Sequence, residues 1–222
     1  SAPLEYTNKN DVKKNNPNRR YTANSKLDIT LSSKFQLTFN MSGYLSEKKY
    51  PQINTVDYAY NTSRAIPAYN ADGTYSFYKK NGTNNAGYLN YNVLNELDNS
   101  HQKQSTTGVT MTANLRYAAT DWLSINGILS TSATNTDQEG YWGEKTFYAA
   151  NLRKCDYGMI PTSESLMPYG GELSTTKSKN KSYTARLQAN FNKSFGEDRM
   201  HTVAAVIGGE ANSNRYEAYA ST

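Results

Sequence analysis

The chain's most restrictive sequence feature is an alternation of apolar and polar residues over six segments. In the second segment, Phe35, Leu37 and Phe39 alternate with polar Gln36 and Thr38. A period of two residues is typical of a β-strand with one apolar face. We therefore predict strands at about residues 20–31, 35–46, 105–118, 122–134, 181–193 and 201–212. Because each pair is joined by a short turn, the pattern predicts an all-β fold, an antiparallel up-and-down meander.

The lengths of the predicted strands and loops narrow the fold class further. The strands run for about 10–13 residues, whereas strands of globular proteins usually have about five or six. Long loops at residues 47–100 and 135–180 lie at one end of the meander, and short turns lie at the other. This layout is typical of a transmembrane β-barrel with short periplasmic turns and long extracellular loops, whose apolar face contacts lipid. A soluble β-sandwich also alternates and stays open as the alternative.

Composition excludes several other classes of protein. Apolar residues make up 36% of the chain, below the roughly 45–50% of ordinary globular proteins, yet there are 19 Tyr. A single Cys excludes a disulfide framework and a multi-Cys zinc site. No apolar run is long enough for a transmembrane helix, and the first residues do not resemble a signal peptide. The net charge of +5 is mild and interleaved with acids, so we expect no nucleic-acid partner.

The sequence holds no arrangement of residues that predicts catalysis. Ser174 and Lys177 fit a Ser-x-x-Lys spacing, but no companion motif accompanies them. His101 and His201 are far apart and neither has a second ligand at strand or helix spacing. Cys155 lies in the second loop and reads as an inert thiol. We therefore expect no enzyme activity, no cofactor and no metal site.

Aromatic and arginine side chains of the two long loops are the candidate binding residues. Aromatic faces stack on sugar rings or peptide side chains, and Arg donates to carbonyl or carboxylate groups. The alternative is that these residues pack the loops against each other or against a partner. The candidates are Tyr58, Tyr60, Arg64 and Tyr69 in the first loop, and Tyr141, Trp142, Tyr148 and Arg153 in the second. Aromatics near strand ends are candidates for interfacial girdles: Tyr44, Tyr117, Trp122 and Tyr183.

Several segments, in this order, resemble motifs of the SusC/RagA-type TonB-dependent transporters of the Bacteroidetes outer membrane. Residues 18–28 (NRRYTANSKLD) and 34–40 (KFQLTFN) resemble a consecutive pair of strands in that family. The further matches are residues 63–74 (SRAIPAYNADGT), 92–97 (NVLNEL), 120–127 (TDWLSING) and 191–196 (FNKSFG). Together they extend over essentially the whole chain, and they identify it by resemblance as an interior piece of such a barrel.

The resemblance implies a function in nutrient import at the cell outer membrane. Members of the family take up glycans or other nutrients such as oligosaccharides or peptides, acting with a SusD-like surface lipoprotein. The TonB system moves a plug domain to admit the substrate. The chain contains neither a TonB box nor a plug domain, and a family member carries about 22 strands, so residues 1–222 are expected to form part of a barrel.

Overall fold

The fold is an antiparallel β-meander, as the alternation predicts. The computed structural model describes residues 2–10, 17–83, 85–167, 169–196 and 200–222. The main sheet has seven strands in the order β1-β2-β3-β6-β7-β8-β9, all antiparallel to their neighbours. Its strands are β1 (Leu4–Asn10), β2 (Pro17–Ser32), β3 (Phe35–Tyr50), β6 (Ser100–Thr120), β7 (Leu123–Trp142), β8 (Glu172–Phe195) and β9 (His201–Ser221). Among the described residues the sheet stays open, with β1 and β9 as its edge strands.

The strands are longer than the sequence predicts, and one of them was missed. From β2 to β9 the strands of the main sheet have 16 to 24 residues. The added residues show no alternation: residues 100–104 are polar on both faces, and residues 213–221 mix polar residues with Ala or Tyr on both faces. Strand β1 is also mostly polar, so the alternation did not predict it. It pairs with β2, beginning with Leu4 opposite Ala23. The loops predicted at 47–100 and 135–180 are therefore shorter, at residues 51–99 and 143–171.

The turns lie at the end of the sheet opposite these loops. Residues 33–34 connect β2 to β3, and residues 121–122 connect β6 to β7. The predicted turn at 194–199 falls partly outside the described residues. In the paired strands, Leu27 lies opposite Phe39 and Ala113 opposite Leu129. Since the register keeps the predicted parity, the odd-numbered positions of β2, β3, β6, β7, β8 and β9 share one face, and the even-numbered positions of β1 join it.

The two long loops contain short helices and a small hairpin. They hold α1 (Thr55–Asn61), β4 (Tyr78–Asn81), β5 (Tyr88–Tyr91), α2 (Val93–Asn99) and α3 (Phe147–Arg153). From the sequence we also predict short helices near residues 56–63 and 146–153, and α1 and α3 confirm them with slightly different bounds, whereas α2 and the β4–β5 hairpin are not predicted. Each helix begins after a residue whose side chain accepts backbone N–H bonds, namely Asn54, Asn92 and Thr146. None of the helices in the described part of the chain has the length and apolarity to cross a membrane.

The apolar core lies in the loops and not on the sheet. Ala86, Leu89 and Ala150 form a buried cluster against which Phe147 packs. On the sheet, large apolar side chains of the odd-numbered face stay open to solvent, among them Leu129 (63% exposed) and Ile207 (77%). Nothing in the described residues covers this face with a second sheet, because the only other sheet there is the β4–β5 hairpin.

Candidate functional site

The exposed face of the sheet carries one continuous apolar band. On β3 the band runs over odd positions from Phe35 to Leu45, on β8 from Tyr183 to Phe191, and on β9 from Val203 to Ala211. Each strand therefore contributes nine to eleven residues. A tilted strand needs about 9–11 residues to cross a hydrocarbon layer.

The band runs diagonally across the sheet. This is seen by following a row, that is, the residues that lie opposite one another on successive strands. Tyr183, where the uninterrupted apolar run of β8 ends on the loop side, lies in the row of Met41 through Thr131 and Met111. The border on β8 is thus four residues further from the loops than the border at Leu45 on β3. Ala211 of β9 lies in the row of Phe39, which makes the displacement six residues.

The border on the turn side is displaced in the same direction. On β3 this border is at Phe35, whose row continues through Tyr117 and Ile125. Phe191 of β8 lies opposite Leu123, two residues further from the loops than that row. Val203 of β9 lies opposite Lys193, another two residues further from the loops. Between β3 and β9 the band therefore moves by four to six residues, or about 14–20 Å, over four strand spacings of about 4.8 Å. This displacement corresponds to an angle of about 36–46° between the strands and the normal to the band.

Aromatic side chains lie at both borders of the band. At the turn side, the Phe35 and Tyr117 rings are 6.3 Å apart, and the Trp122 and Phe191 rings are 5.1 Å apart. At the loop side, Tyr183 is at the border on β8, and the Tyr21 and Tyr6 rings of β2 and β1 lie 4.9 Å apart. Three of the four predicted girdle residues thus lie at the borders. Tyr44 does not, because its even position puts it on the opposite face, where its ring covers Gly108 and stacks on Arg20.

The opposite face of the sheet is lined by hydroxyl and amide groups bonded between strands. Thr112 and Ser130 are joined by a hydroxyl hydrogen bond of 3.0 Å, and Ser132 and Ser182 by one of 2.7 Å. The Thr38 hydroxyl donates to Asp28 at 2.7 Å. These pairs bind each other while leaving donors and acceptors for water, so this face can border an aqueous space.

The two loops pack together into one unit, which we call the loop cap (residues 51–99 and 143–171). Asn95 Nδ2 donates to the Lys145 carbonyl at 2.8 Å, and the Thr83 amide donates to Asn151 Oδ1 at 2.7 Å. Asp156 accepts from the Asn90 amide at 2.7 Å and from Lys79 Nζ at 2.8 Å. The described loops are thus cross-linked by side chains that bond the backbone of the opposite loop.

Glu96 of α2 lies at the centre of this contact. It is 1% exposed, and its carboxylate accepts the Phe147 amide at 2.7 Å and Asn95 Nδ2 at 3.3 Å. Burial raises the pKa of Glu96 to about 7, although these bonds and the nearby Lys80 ammonium favour the charged form. The Lys80 ammonium lies 4.2 Å from the centre of the Tyr91 ring.

The first-loop candidates are distributed over two different environments. The Tyr58 ring is half-buried and lies 5.8 Å from that of Tyr91, where it packs the loop cap. Tyr60 is 89% exposed, and Arg64 is exposed as well. Tyr69 is half exposed and stacks on Tyr75 at 5.8 Å, across the turn between these two residues. Tyr60, Arg64 and Tyr69 therefore offer accessible groups, whereas Tyr58 supports the fold of the loop.

The second-loop candidates mostly hold the cap to the sheet. Tyr141 and Trp142 belong to β7, where Tyr141 packs on His101, and the Trp142 ring stacks on that of Tyr148 at 4.6 Å. The Tyr148 hydroxyl donates to Glu172 at 2.9 Å, and burial together with this bond raises its pKa. Arg153 is 3% exposed and donates to the carbonyls of Glu144 and Gly170. Among the eight candidates, Trp142 and Tyr148 are brought together by ring stacking.

Sequence reasoning missed the residues that build the cap. Asn92 accepts from two amides at the start of α2 and donates to the carbonyls of Ala68 and Ser76, at 2.9 and 2.8 Å. An Asn before a helical stretch is a helix-start signal that could have revealed α2. Phe77 was missed as well; it is 47% exposed and lies edge-on to Tyr75. No sequence signal pairs Glu96 with Phe147.

Comparison with protein-family models and with curated protein sequences yields no match for this chain.

Proposed function

We propose that the chain forms part of the wall of an outer-membrane β-barrel of the SusC/RagA type, which imports glycans or peptides with energy from the TonB system. The apolar face contacts membrane lipid, and the polar face lines the aqueous interior. The loop cap lies outside the cell, where a SusD-like lipoprotein delivers the substrate. Transport itself requires the rest of the barrel and its plug domain.

The slanted band is the observation that carries this proposal. A membrane is a flat layer, so strands that cross it at an angle must move their apolar residues steadily along the register. The angle of about 36–46° obtained from the band agrees with the tilt of roughly 35–45° in membrane barrels. The aromatic residues at both borders occupy the places of interfacial girdles.

The same observation favours the barrel wall over the soluble β-sandwich. A sandwich buries the apolar faces of its two sheets against each other. In this chain Leu129, Leu187 and Ile207 are more than half exposed, and their face has no covering layer in the described residues. Exposed apolar areas of this extent mark contact with a partner or with lipid.

The accessible cap residues are the proposed points of substrate contact. Tyr60, Arg64 and Tyr69 combine open aromatic faces with a guanidinium group. Aromatic faces pack against the C–H surface of sugars, and guanidinium groups bind carboxylate or carbonyl oxygens. We place Trp142, Tyr148 and Arg153 in the support of this surface.

Cysteine labelling tests the assignment of the two faces. In a Cys155→Ser background, single cysteines replace Met111 or Leu187 on the apolar face and their neighbours Thr110 or Gln188 on the polar face. In intact membranes, a membrane-impermeant maleimide is expected to label Thr110→Cys and Gln188→Cys but to leave Met111→Cys and Leu187→Cys unlabelled until detergent is added. Labelling with the reverse preference, or labelling of both faces without detergent, would contradict a lipid-facing band.

Uptake measurements test the transport function separately. Cells that express the full-length protein are expected to accumulate labelled oligosaccharides or peptides, and a protonophore is expected to abolish this uptake. Uptake that persists without the proton gradient, or that is equal in cells lacking the gene, would reject the importer while leaving the barrel wall intact.

A further inference from the structure

A row of unpaired lysines lies directly above the apolar band on its loop side. Lys177, Lys179 and Lys181 occupy consecutive odd positions of β8, so all three point from the same face as Tyr183. All three are exposed, and none forms an ion pair with any described residue. Consecutive charges on one strand face are about 7 Å apart, so the three lysines concentrate positive charge on this stretch of β8.

The neighbouring strand extends the positive charge into a groove. Arg215 of β9 lies opposite Lys181, and a shallow groove is lined by Lys179, Lys181, Tyr183, Arg215 and Glu217. Glu217 lies opposite Lys179 but is ion-paired with Arg215 at 2.6 Å, and neither lysine of the groove forms an ion pair with it. Asp137 lies across from Lys177 in the register but forms no ion pair with it.

On β6 and β7 the same border carries an ion pair within the sheet. Lys103 of β6 pairs with Glu139 of β7 at 3.2 Å, and His101 lies 3.4 Å from the same carboxylate. Lys49 of β3 also forms no ion pair with a described residue, so what distinguishes β8 is three such lysines at consecutive odd positions.

We propose that Lys179, Lys181 and Arg215, with Lys177 above them, bind the phosphate-bearing headgroup of a membrane lipid in the leaflet on the loop side. This inference rests on the proposed function, because it needs the band to lie in the membrane. The acyl chains of the lipid then pack on the band below Tyr183, and the headgroup phosphate meets the ammonium groups at the height where the band ends. Basic side chains at this height each strengthen binding of anionic headgroups by about fivefold.

Lipid retention tests the proposal. The protein is reconstituted in phosphatidylcholine vesicles that contain either lipid A, a glycolipid that carries phosphates, or the same glycolipid after removal of its phosphates. Co-purified glycolipid is then quantified by mass spectrometry. We expect retention of the phosphorylated form alone, weakened on the order of 100-fold in the triple variant Lys177→Gln, Lys179→Gln, Lys181→Gln.

A charge-matched variant controls for net charge. Lys34→Gln, Lys48→Gln and Lys145→Gln remove the same charge from a turn, from the polar face and from the cap, and are expected to retain lipid A as the unmodified protein does. Equal retention by the lysine-row variant, or equal loss in the control variant, would overturn the site.

Two further measurements separate the alternatives. Saturable binding of inorganic phosphate alone, lost in the lysine-row variant, would assign the site to a free anion and overturn the lipid headgroup. If Leu187→Cys is protected from the impermeant maleimide but lipid retention does not depend on the lysines, the headgroup site fails and the barrel wall stands. If Leu187→Cys labels freely, the proposed function fails, and the headgroup site fails with it.

Discussion

Protonation of Glu96 is predicted to control how firmly the two loops hold together. The carboxyl group has its pKa raised to about 7 in the folded cap by burial, compared with 4.5 for the exposed group. Between these values the folded cap binds more protons than the opened cap. The free energy of opening therefore falls as the pH rises from about 4.5 to about 7, and it is constant above and below that window.

The magnitude follows from the difference between the two pKa values. A difference of about 2.5 units corresponds to about 3 kcal/mol at 1.36 kcal/mol per unit. This is a large part of the stability of a unit whose buried apolar cluster is as small as Ala86, Leu89 and Ala150 with Phe147. We expect the cap to open on the order of a hundredfold more often at pH 8 than at pH 5.

Hydrogen exchange at the Phe147 amide measures this opening directly, because that N–H donates to Glu96. Protection factors, corrected for the intrinsic pH dependence of exchange, are expected to fall between pH 5 and pH 8. The variant Glu96→Gln keeps an oxygen acceptor for the Phe147 amide but cannot ionise, so its protection is expected to be independent of pH.

A control variant removes a carboxylate of the same loops that is exposed. The ion pair with Lys154 lowers the pKa of Glu164, so this group does not titrate between pH 5 and pH 8. Glu164→Gln should therefore keep the slope of the unmodified protein. A slope that survives in Glu96→Gln, or a flat profile in the unmodified protein, would refute the argument that Glu96 carries the proton.

Three further predictions address the band, the polar face and the cap. Leu129→Arg, at the middle of the band, should lower the free energy of unfolding in lipid by about 2–4 kcal/mol, measured by urea titration. Ser130→Arg on the polar face should lower it by under about 1 kcal/mol, and similar values for the two variants would contradict the assignment of faces. Gly108→Ala should cost about 1–2 kcal/mol because its methyl group would meet the Tyr44 ring, and this cost should disappear in a Tyr44→Ala background, as a double-mutant cycle will show. Asp156→Ala should loosen the cap by about 0.5–1.5 kcal/mol, because it removes the hydrogen bonds from the Asn90 amide and Lys79, whose donors remain open to water. Limited proteolysis at residues 85–90 should then quicken, and an unchanged rate would argue against this cross-link.

The strands could be predicted wherever their two faces differ in polarity. Phe39 alternates with Thr38 and Asn40, so β3 and its parity were readable from sequence. Residues 100–104 are polar on both faces, and their strand conformation is enforced by hydrogen bonds to a neighbouring strand and not by a local pattern. The prediction for Tyr44 was wrong for a different reason. It was assigned to a girdle because it lies near a strand end, but its even position places it on the polar face.

The loop cap could not be predicted, because its contacts join residues that are distant in sequence. Glu96 and Phe147 are 51 positions apart, and Thr83 and Asn151 are 68 apart. The aromatic residues of the loops were identified as a group, but their division into accessible side chains such as Tyr60 and packed ones such as Tyr58 depends on those contacts. Arg153 is an example: it is a candidate binding residue by sequence, but its guanidinium donates to backbone carbonyls of its own loop.

The register adds what the alternation alone could not, namely the direction in which the apolar residues are aligned. Alternation requires one apolar face but is indifferent to how that face is bounded along each strand. In this sheet the band keeps a length of nine to eleven residues per strand while both of its borders move the same way along the register. Packing against a second sheet, as in a β-sandwich, would not require this constant length and parallel displacement, because the area covered by a second sheet need not have parallel borders. A flat apolar layer crossed by tilted strands does require it, and it also explains the low apolar content of the chain: only every second residue, within less than the full strand length, has to be apolar.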